Sequence, residues 1–128
     1  MEVKTHSGNA MPAIKSNTLS AIDVNGCDMI GVDEAQFFKD LDAVLSWVSA
    51  GKHVVVAGLS GDFQKRPFDN IARLIPHADD LHFKKALCTH CGKSAAFSRR
   101  VIDSEERLLV GGEGQYEPVC RSHYLSAS

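Results

Sequence analysis

Asp33 and Glu34 stand side by side at the end of a short apolar run, Met29-Ile30-Gly31-Val32, and are followed by Ala35-Gln36-Phe37. An apolar run entered through a turn signal, here Asn25-Gly26, reads as a buried strand of a parallel sheet. In open α/β sheets ligands sit beyond the carboxyl ends of the strands, where these two carboxylates emerge. Paired carboxylates at that place suit phosphoryl transfer: one orients a hydrated magnesium ion and the other accepts a hydroxyl proton. Apolar-Asp-Glu also closes many ordinary strands, so the pair gains weight only from its company.

A second constellation is Cys88-x2-Cys91 with Cys120-x2-His123. Two intervening residues let both side chains of a pair reach one ion from a tight turn. Two such knuckles supply a closed set of three thiolates and one imidazole, the donor set of structural zinc. The plainer reading, buried thiols and a surface histidine, leaves the paired spacing at both ends of a hairpin unexplained. All four positions are protein-filled, which makes the expected ion structural rather than catalytic. Cys27 is left over and reads as a small core residue. Gly92-Lys93-Ser94 mimics the end of a phosphate-binding loop, but that motif needs glycine at position 87, which is Leu87, and no GxxxxGK[ST] occurs in the chain.

A third stretch, Ser60-Gly61-Asp62-Phe63-Gln64-Lys65-Arg66-Pro67-Phe68, is polar and basic with two aromatics. Arg66 is either a clamp for phosphate oxygens or part of a solvated basic loop. Phe63 and Phe68 are core anchors or the walls of a pocket for a flat ring. Gly111-Gly112-Glu113-Gly114-Gln115-Tyr116 is too glycine-rich for a strand. It reads equally as a plain flexible loop or as backbone that approaches a ligand closely.

The elements that position these residues follow from periodicity. The strand Met29–Asp33 is followed by Leu41, Val44, Leu45 and Val48 at i, i+3, i+4, i+7, an amphipathic helix stopped by Gly51. His53 to Leu59 is a second apolar strand, so the three elements form a βαβ unit with a parallel sheet. A helix is expected from Asp69 to Ile75, ended by Pro76, and a third strand over Leu81–Leu87. Before the unit, Thr5 to Asn9 reads as a loop, and Pro12 to Ile22 holds a short strand or helix. After Cys88 the runs Ala95–Ile102 and Arg107–Val110 read as a hairpin about Asp103-Ser104-Glu105-Glu106.

The totals set bounds. The 128 residues make one domain with a small appendage, and 44% hydrophobic with 23% charged residues is ordinary globular composition. A net charge of -2 gives no electrostatic case for nucleic acid or an anionic membrane as partner. No apolar stretch approaches the roughly 18 residues needed to span a bilayer. With no signal-peptide pattern, a cytoplasmic location is expected, where cysteines serve as ligands or free thiols.

Taken together, Ile30-Gly31-Val32-Asp33-Glu34-Ala35-Gln36-Phe37-Phe38, Gly61-Asp62-Phe63-Gln64-Lys65-Arg66-Pro67-Phe68, Cys88-x2-Cys91, Gly111-Gly112 and Tyr116 with Cys120-Arg121-Ser122-His123 resemble the zinc-containing thymidine kinase family from about Thr5 to Tyr124. The resemblance implies an α/β fold: a partial P-loop kinase core with a parallel sheet over residues 1–87, and a zinc-ribbon lasso domain over 88–128. It implies transfer of the γ-phosphate of ATP to the 5′-hydroxyl of thymidine, with structural Zn2+ and with Mg2+ accompanying ATP. Glu34 matches the family's catalytic base, Asp33 its magnesium-associated carboxylate and Arg66 its phosphate-side loop. Phe37, Leu59, Phe63 and Phe68 match walls of the thymine pocket, and Ser98 takes the place of a pocket threonine. Val110, Gly111, Gly112 and Tyr116 match the lasso that closes on the base; Cys88, Cys91, Cys120 and His123 match the metal ligands.

The resemblance begins after the family's first strand, its glycine-rich phosphate loop, a helix and a second strand. In P-loop enzymes that loop's amides and lysine cradle the phosphates, so these 128 residues are not expected to transfer phosphate alone. Either the true start lies upstream of Met1, the preferred expectation, or the chain is a degenerate copy paired with an intact kinase subunit. Unpaired strand edges and bare apolar faces should accompany that departure. The alternative function is a non-catalytic zinc-ribbon module that binds nucleoside or regulates an intact kinase. The family suggests a homotetramer; nucleoside breadth and feedback inhibition are not legible.

Overall fold

The structure, a computed structural model, describes residues 2–5, 7–101 and 116–126. It is a mixed α/β chain in which the strands among the described residues form four two-stranded sheets. β1 (Glu2–Lys4) and β2 (Ala10–Pro12) form an antiparallel hairpin. The loop expected between them is closed by the Thr5 amide donating to the Asn9 carbonyl at 2.7 Å. Beyond Pro12, which closes β2, residues 13–22 form neither the strand nor the helix expected. Two backbone amides hold it instead: Leu19 and Ser20 both donate to the Asp40 carboxylate, at 3.2 and 2.9 Å. Those amide bonds hold the Asp40 carboxyl below its ordinary value, the Ser20 bond most strongly.

The βαβ unit is present. β3 (Met29–Val32) pairs in parallel with β4 (His53–Val56), Met29 opposite His53 and Val32 opposite Val56. The expectation of a strand buried on both faces is corrected. Ile30, Val32, Val54 and Val56 face the core, whereas Met29 and Val55 are 67% and 52% exposed. The two-residue period of a strand divides the apolar run between two faces, and elements pack on only one of them among the described residues.

The crossover also departs in detail from the expected helix. Leu41–Ala43 is a 3₁₀ turn and only Val44–Ser49 is α-helix, α1. Three residues per turn put Leu41, Val44 and Trp47 on one line, and all three are buried. Val48, assigned to that stripe by an unbroken 3.6 period, is 45% exposed. Gly51 ends the helix at φ 87°, a conformation that favours glycine. α2 (Asp69–Leu74) passes at Ile75–His77 into a 3₁₀ turn containing Pro76.

The expected third strand shrinks to β5 (Ala86–Leu87), antiparallel to β6 (Ser94–Ala95) across the Cys88–Gly92 turn. Leu81 and Phe83 stay exposed and join no ladder among the described residues. β7 (Phe97–Arg100), within the expected run Ala95–Ile102, pairs antiparallel with β8 (Tyr116–Val119), a strand the periodicity did not mark, while the expected turn and the partner run Arg107–Val110 lie outside the described residues. A five-residue helix, α3 (Arg121–Leu125), follows Cys120. Two apolar clusters result, one of Leu19, Val32, Ala35, Leu41, Val44 and Trp47, the other of Cys88, Ala95 and Val119. Cys27 belongs to neither and is exposed, because it sits in the turn before β3, against the core role expected of it.

Leu41 is 1% exposed at the centre of the first cluster. Leu41→Ala is expected to cost about 2–5 kcal/mol in chemical denaturation, a cavity-sized loss. Met29→Ala, on the bare face, should fall within about 0.5 kcal/mol of wild type.

Candidate functional site

Where β3 ends, the parallel ladder runs one step further: Ala57 donates to Val32 and Ala35 donates to Ala57, at 2.9 and 3.0 Å. Between these bonds the chain must turn out of the strand, and it does so at Glu34, in the left-handed region at φ 51°, ψ 44°. A non-glycine residue there costs of the order of 1 kcal/mol. The Glu34 amide donates to Asp33 Oδ1 at 2.9 Å, and both side chains remain exposed.

Gln36 connects the two strand ends. It is 5% exposed. Its Nε2 donates to Glu34 Oε2 at 2.9 Å, and its Oε1 accepts from the Leu59 amide at 3.1 Å. Asn70 Nδ2 donates to the carbonyls of Gln36 and Phe38 at 3.2 and 2.9 Å, which ties this turn to α2. Gly58 is required beside it. A Cβ there would lie 2.9 Å from Gln36 Oε1 and 3.2 Å from the Ala35 nitrogen. Gln36 and Asn70 were not among the expected site residues, since spacing alone does not tell a buried amide from an exposed one.

The second loop is organised by Asp62, also missed by sequence reasoning. Its Oδ1 accepts from the amides of Gln64 and Arg66, both at 2.9 Å, and its Oδ2 accepts from Arg66 Nε at 3.0 Å. Burial works to raise the Asp62 carboxyl; the two amides and the guanidinium outweigh it and hold the group below the usual range. Arg66, expected on the phosphate side, is therefore anchored through Nε while its side chain stays 53% exposed. The turn places Lys65 at φ 63°.

The aromatics separate. Phe68 is buried, Phe37 and Phe63 are half-buried, and Leu59 is 49% exposed. Phe63 meets the second module: the Arg100 guanidinium carbon lies 3.9 Å from its ring centroid and 5.2 Å from that of Tyr116. Arg100 also donates to the Tyr116 hydroxyl at 2.7 Å. Ser98 lies half-buried on β7 opposite Pro118. Val110, Gly111 and Gly112 lie outside the described residues.

Cys88, Cys91, Cys120 and His123 converge, with one donor atom from each lying within 4.8 Å of all the others. Separations within the set include 3.3 Å from Cys120 Sγ to His123 Nδ1, 3.6 Å from Cys88 Sγ to the same nitrogen and 3.7 Å between the Cys91 and Cys120 sulfurs. Tetrahedral bonds of roughly 2.0–2.3 Å put ligand atoms about this far apart, so the set fits a four-coordinate ion. Burial opposes ionisation of Cys88, but the amides of Cys120, His90 and Cys91 bring its thiol down to about 6. For Cys91 the Lys93 amide pulls downward, yet burial and the neighbouring thiols of Cys120 and Cys88 prevail and push it up.

The knuckle is braced from outside by Glu117, another residue the sequence did not single out. It accepts from Thr89 and from His90 Nε2, the two residues inside Cys-x2-Cys, at 3.2 and 3.0 Å. Arg99 Nε donates to it at 2.8 Å from the adjacent strand. His90 in turn stacks on His123, ring centroids 5.1 Å apart. Such outer partners orient ligands.

A parallel strand pair ending in two carboxylates, followed by a Cys3His cluster that could hold a metal ion, defines the class as a mixed α/β protein. The thymidine kinase family model matches residues 1–124. The chain is 41% identical over 124 residues to a thymidine kinase of Yaba monkey tumor virus, covering 94% of this chain and 68% of that protein. It is 36% identical over 126 residues to the thymidine kinase of vaccinia virus (strain Western Reserve), 96% and 71% covered. To a thymidine kinase of Oryza sativa subsp. japonica it is 39% identical over 132 residues, 96% and 49% covered. The chain belongs to the thymidine kinase family.

Asp62→Asn tests the loop. A carboxyl held below its ordinary value of about 3.9 contributes stability above that pH and loses it as pH falls through the folded value. The variant is expected to be about 1–3 kcal/mol less stable at neutral pH, a deficit that shrinks below about pH 4. A deficit that stays constant down to acid pH would rule out the charged form as its source.

Proposed function

We propose that this chain supplies the thymidine side of a thymidine kinase, which transfers the γ-phosphate of ATP to the 5′-hydroxyl of thymidine and yields dTMP. The observation that carries the reading is the exposed Glu34 carboxylate at the end of a parallel strand, held by the buried Gln36 amide. In this reading Glu34 takes the proton of the 5′-hydroxyl as its oxygen bonds to the γ-phosphorus and the bond to the leaving ADP breaks. Fixing one carboxylate oxygen with Gln36 orients the other toward the hydroxyl. Asp33 would hold a magnesium-bound water, and the ion when bound neutralises charge on the phosphates. Arg66, steadied by Asp62 through Nε, keeps its exposed guanidinium face for phosphate oxygens.

The thymine ring is assigned to Phe37, Leu59, Phe63 and Phe68, with Ser98, Val110, Gly111, Gly112 and Tyr116 closing over it. Residues 1–87 are assigned as a partial P-loop kinase core and 88–128 as the lasso domain. Zinc is assigned to the Cys3His cluster, whose donor set and spacing it matches. A cytoplasmic homotetramer is the assembly that goes with this reading. Among the described residues no helix is long and apolar enough to cross a membrane.

Two variants test these assignments in the protein purified from its own source. Glu34→Gln is expected to lower kcat by roughly 10²–10⁴ while thymidine affinity stays within a few-fold, read by transfer from labelled ATP and by calorimetry. A variant that keeps most of its kcat would remove Glu34 as the base. Cys91→Ala is expected to lose zinc by elemental analysis, and an unchanged metal content would refute the four-ligand site.

A further inference from the structure

The last helix carries two kinds of residue at once. Cys120 caps it and His123 lies within it, so an ion bound by the Cys3His set would hold the helix at both points. Tyr124, the next residue, turns away from the metal toward the Gly61–Phe68 loop. Its hydroxyl donates to the Phe63 carbonyl at 2.7 Å, a bond between residues 61 positions apart. Its ring packs against Phe97, centroids 5.6 Å apart, and Lys65 Nζ sits 4.1 Å from the Tyr124 centroid and 4.5 Å from that of Phe97.

A five-residue helix does not hold its own shape in water, since helices shorter than about 12 residues are marginal even with favourable sequences. α3 buries none of its residues fully. Its position therefore depends on the metal ligands Cys120 and His123 and on the neighbouring Val119, which is fully buried. The loop, by contrast, keeps its internal shape through Asp62, whose bonds to Gln64 and Arg66 involve nothing from the metal module. What a bound metal can alter is the loop's placement, and among the described residues the Tyr124 hydroxyl makes a direct hydrogen bond from the helix that carries His123 to the loop backbone.

We propose that Tyr124 is a positioning residue that couples metal occupancy to the placement of the Gly61–Phe68 loop, and through Phe63 to thymidine affinity. The last step rests on the assignment of Phe63 to the thymine pocket. Coupling is reciprocal: if bound zinc tightens thymidine, thymidine tightens zinc by the same factor. One hydrogen bond supports a factor of roughly two to ten.

Tyr124→Phe removes the hydroxyl and keeps the ring. In the zinc-loaded protein its zinc content should match wild type, while the amide resonance of Gln64, which shares a peptide group with the Phe63 carbonyl, should move in a 15N spectrum. Thymidine should bind roughly two- to tenfold more weakly. Zinc affinity, measured by chelator competition with and without thymidine, should rise by that same factor in wild type and show no rise in the variant. An unmoved Gln64 resonance, or an equal thymidine effect on zinc in both proteins, would overturn the coupling. A moved resonance with unchanged thymidine affinity would instead overturn the pocket assignment of Phe63 and leave the mechanical link standing.

Discussion

The carboxamide of Gln36 spans the ends of the two parallel strands, giving its Nε2 protons to Glu34 and taking the Leu59 amide on its oxygen. Being 5% exposed, it cannot exchange either bond for water without a penalty of about 1–3 kcal/mol. The strained backbone at Glu34, the bare Cα of Gly58 and the Asn70 bonds from α2 all serve this one group. With it in place, the carboxylate pair and the Ser60–Phe68 loop keep a fixed relation although they lie on different strands. The backbone cost at Glu34 is small beside the bonds it allows.

The Cys3His knuckle is the second centre of order, and its surroundings differ from those of the first. Around it, among the described residues, the apolar cluster is small: Cys88, Ala95 and Val119, with Phe97, Cys120 and Tyr124 partly covering them. A cluster of this size among the described residues gains from a cross-link, a role that an ion held by the four side chains would fill. Polar bracing adds to it, with Glu117 reaching both residues inside the first knuckle. Cation–π stacking of Arg100 on Phe63, and of Lys65 between Phe97 and Tyr124, then joins this module to the loop beyond β4.

Much of this was legible beforehand where chemistry and spacing coincide. Four ligands in two x2 pairs converge almost whatever the intervening fold, and the strand–helix–strand order follows from apolar periodicity. Legibility failed where a neighbour decides. Val48 leaves the buried stripe because a 3₁₀ turn resets the period, and Leu81 and Phe83 resemble strand residues but find no partner ladder among the described residues. Cys27 and Met29 have core-forming side chains yet stand exposed, because position relative to the covered face outweighs residue type.

By itself, then, the sequence determined the family, the metal donor set, the parallel βαβ unit and the carboxylate pair at its strand end. These depend on residue identity at short range. Only the tertiary structure decided that Gln36 and Asp62 are the buried polar groups that hold the two loops, that Glu117 braces the knuckle and that Tyr124 reaches Phe63. Each of those roles is a contact between chain segments, or a burial, set by packing. A hydrogen bond between residues 61 positions apart leaves no periodic trace in the chain that makes it.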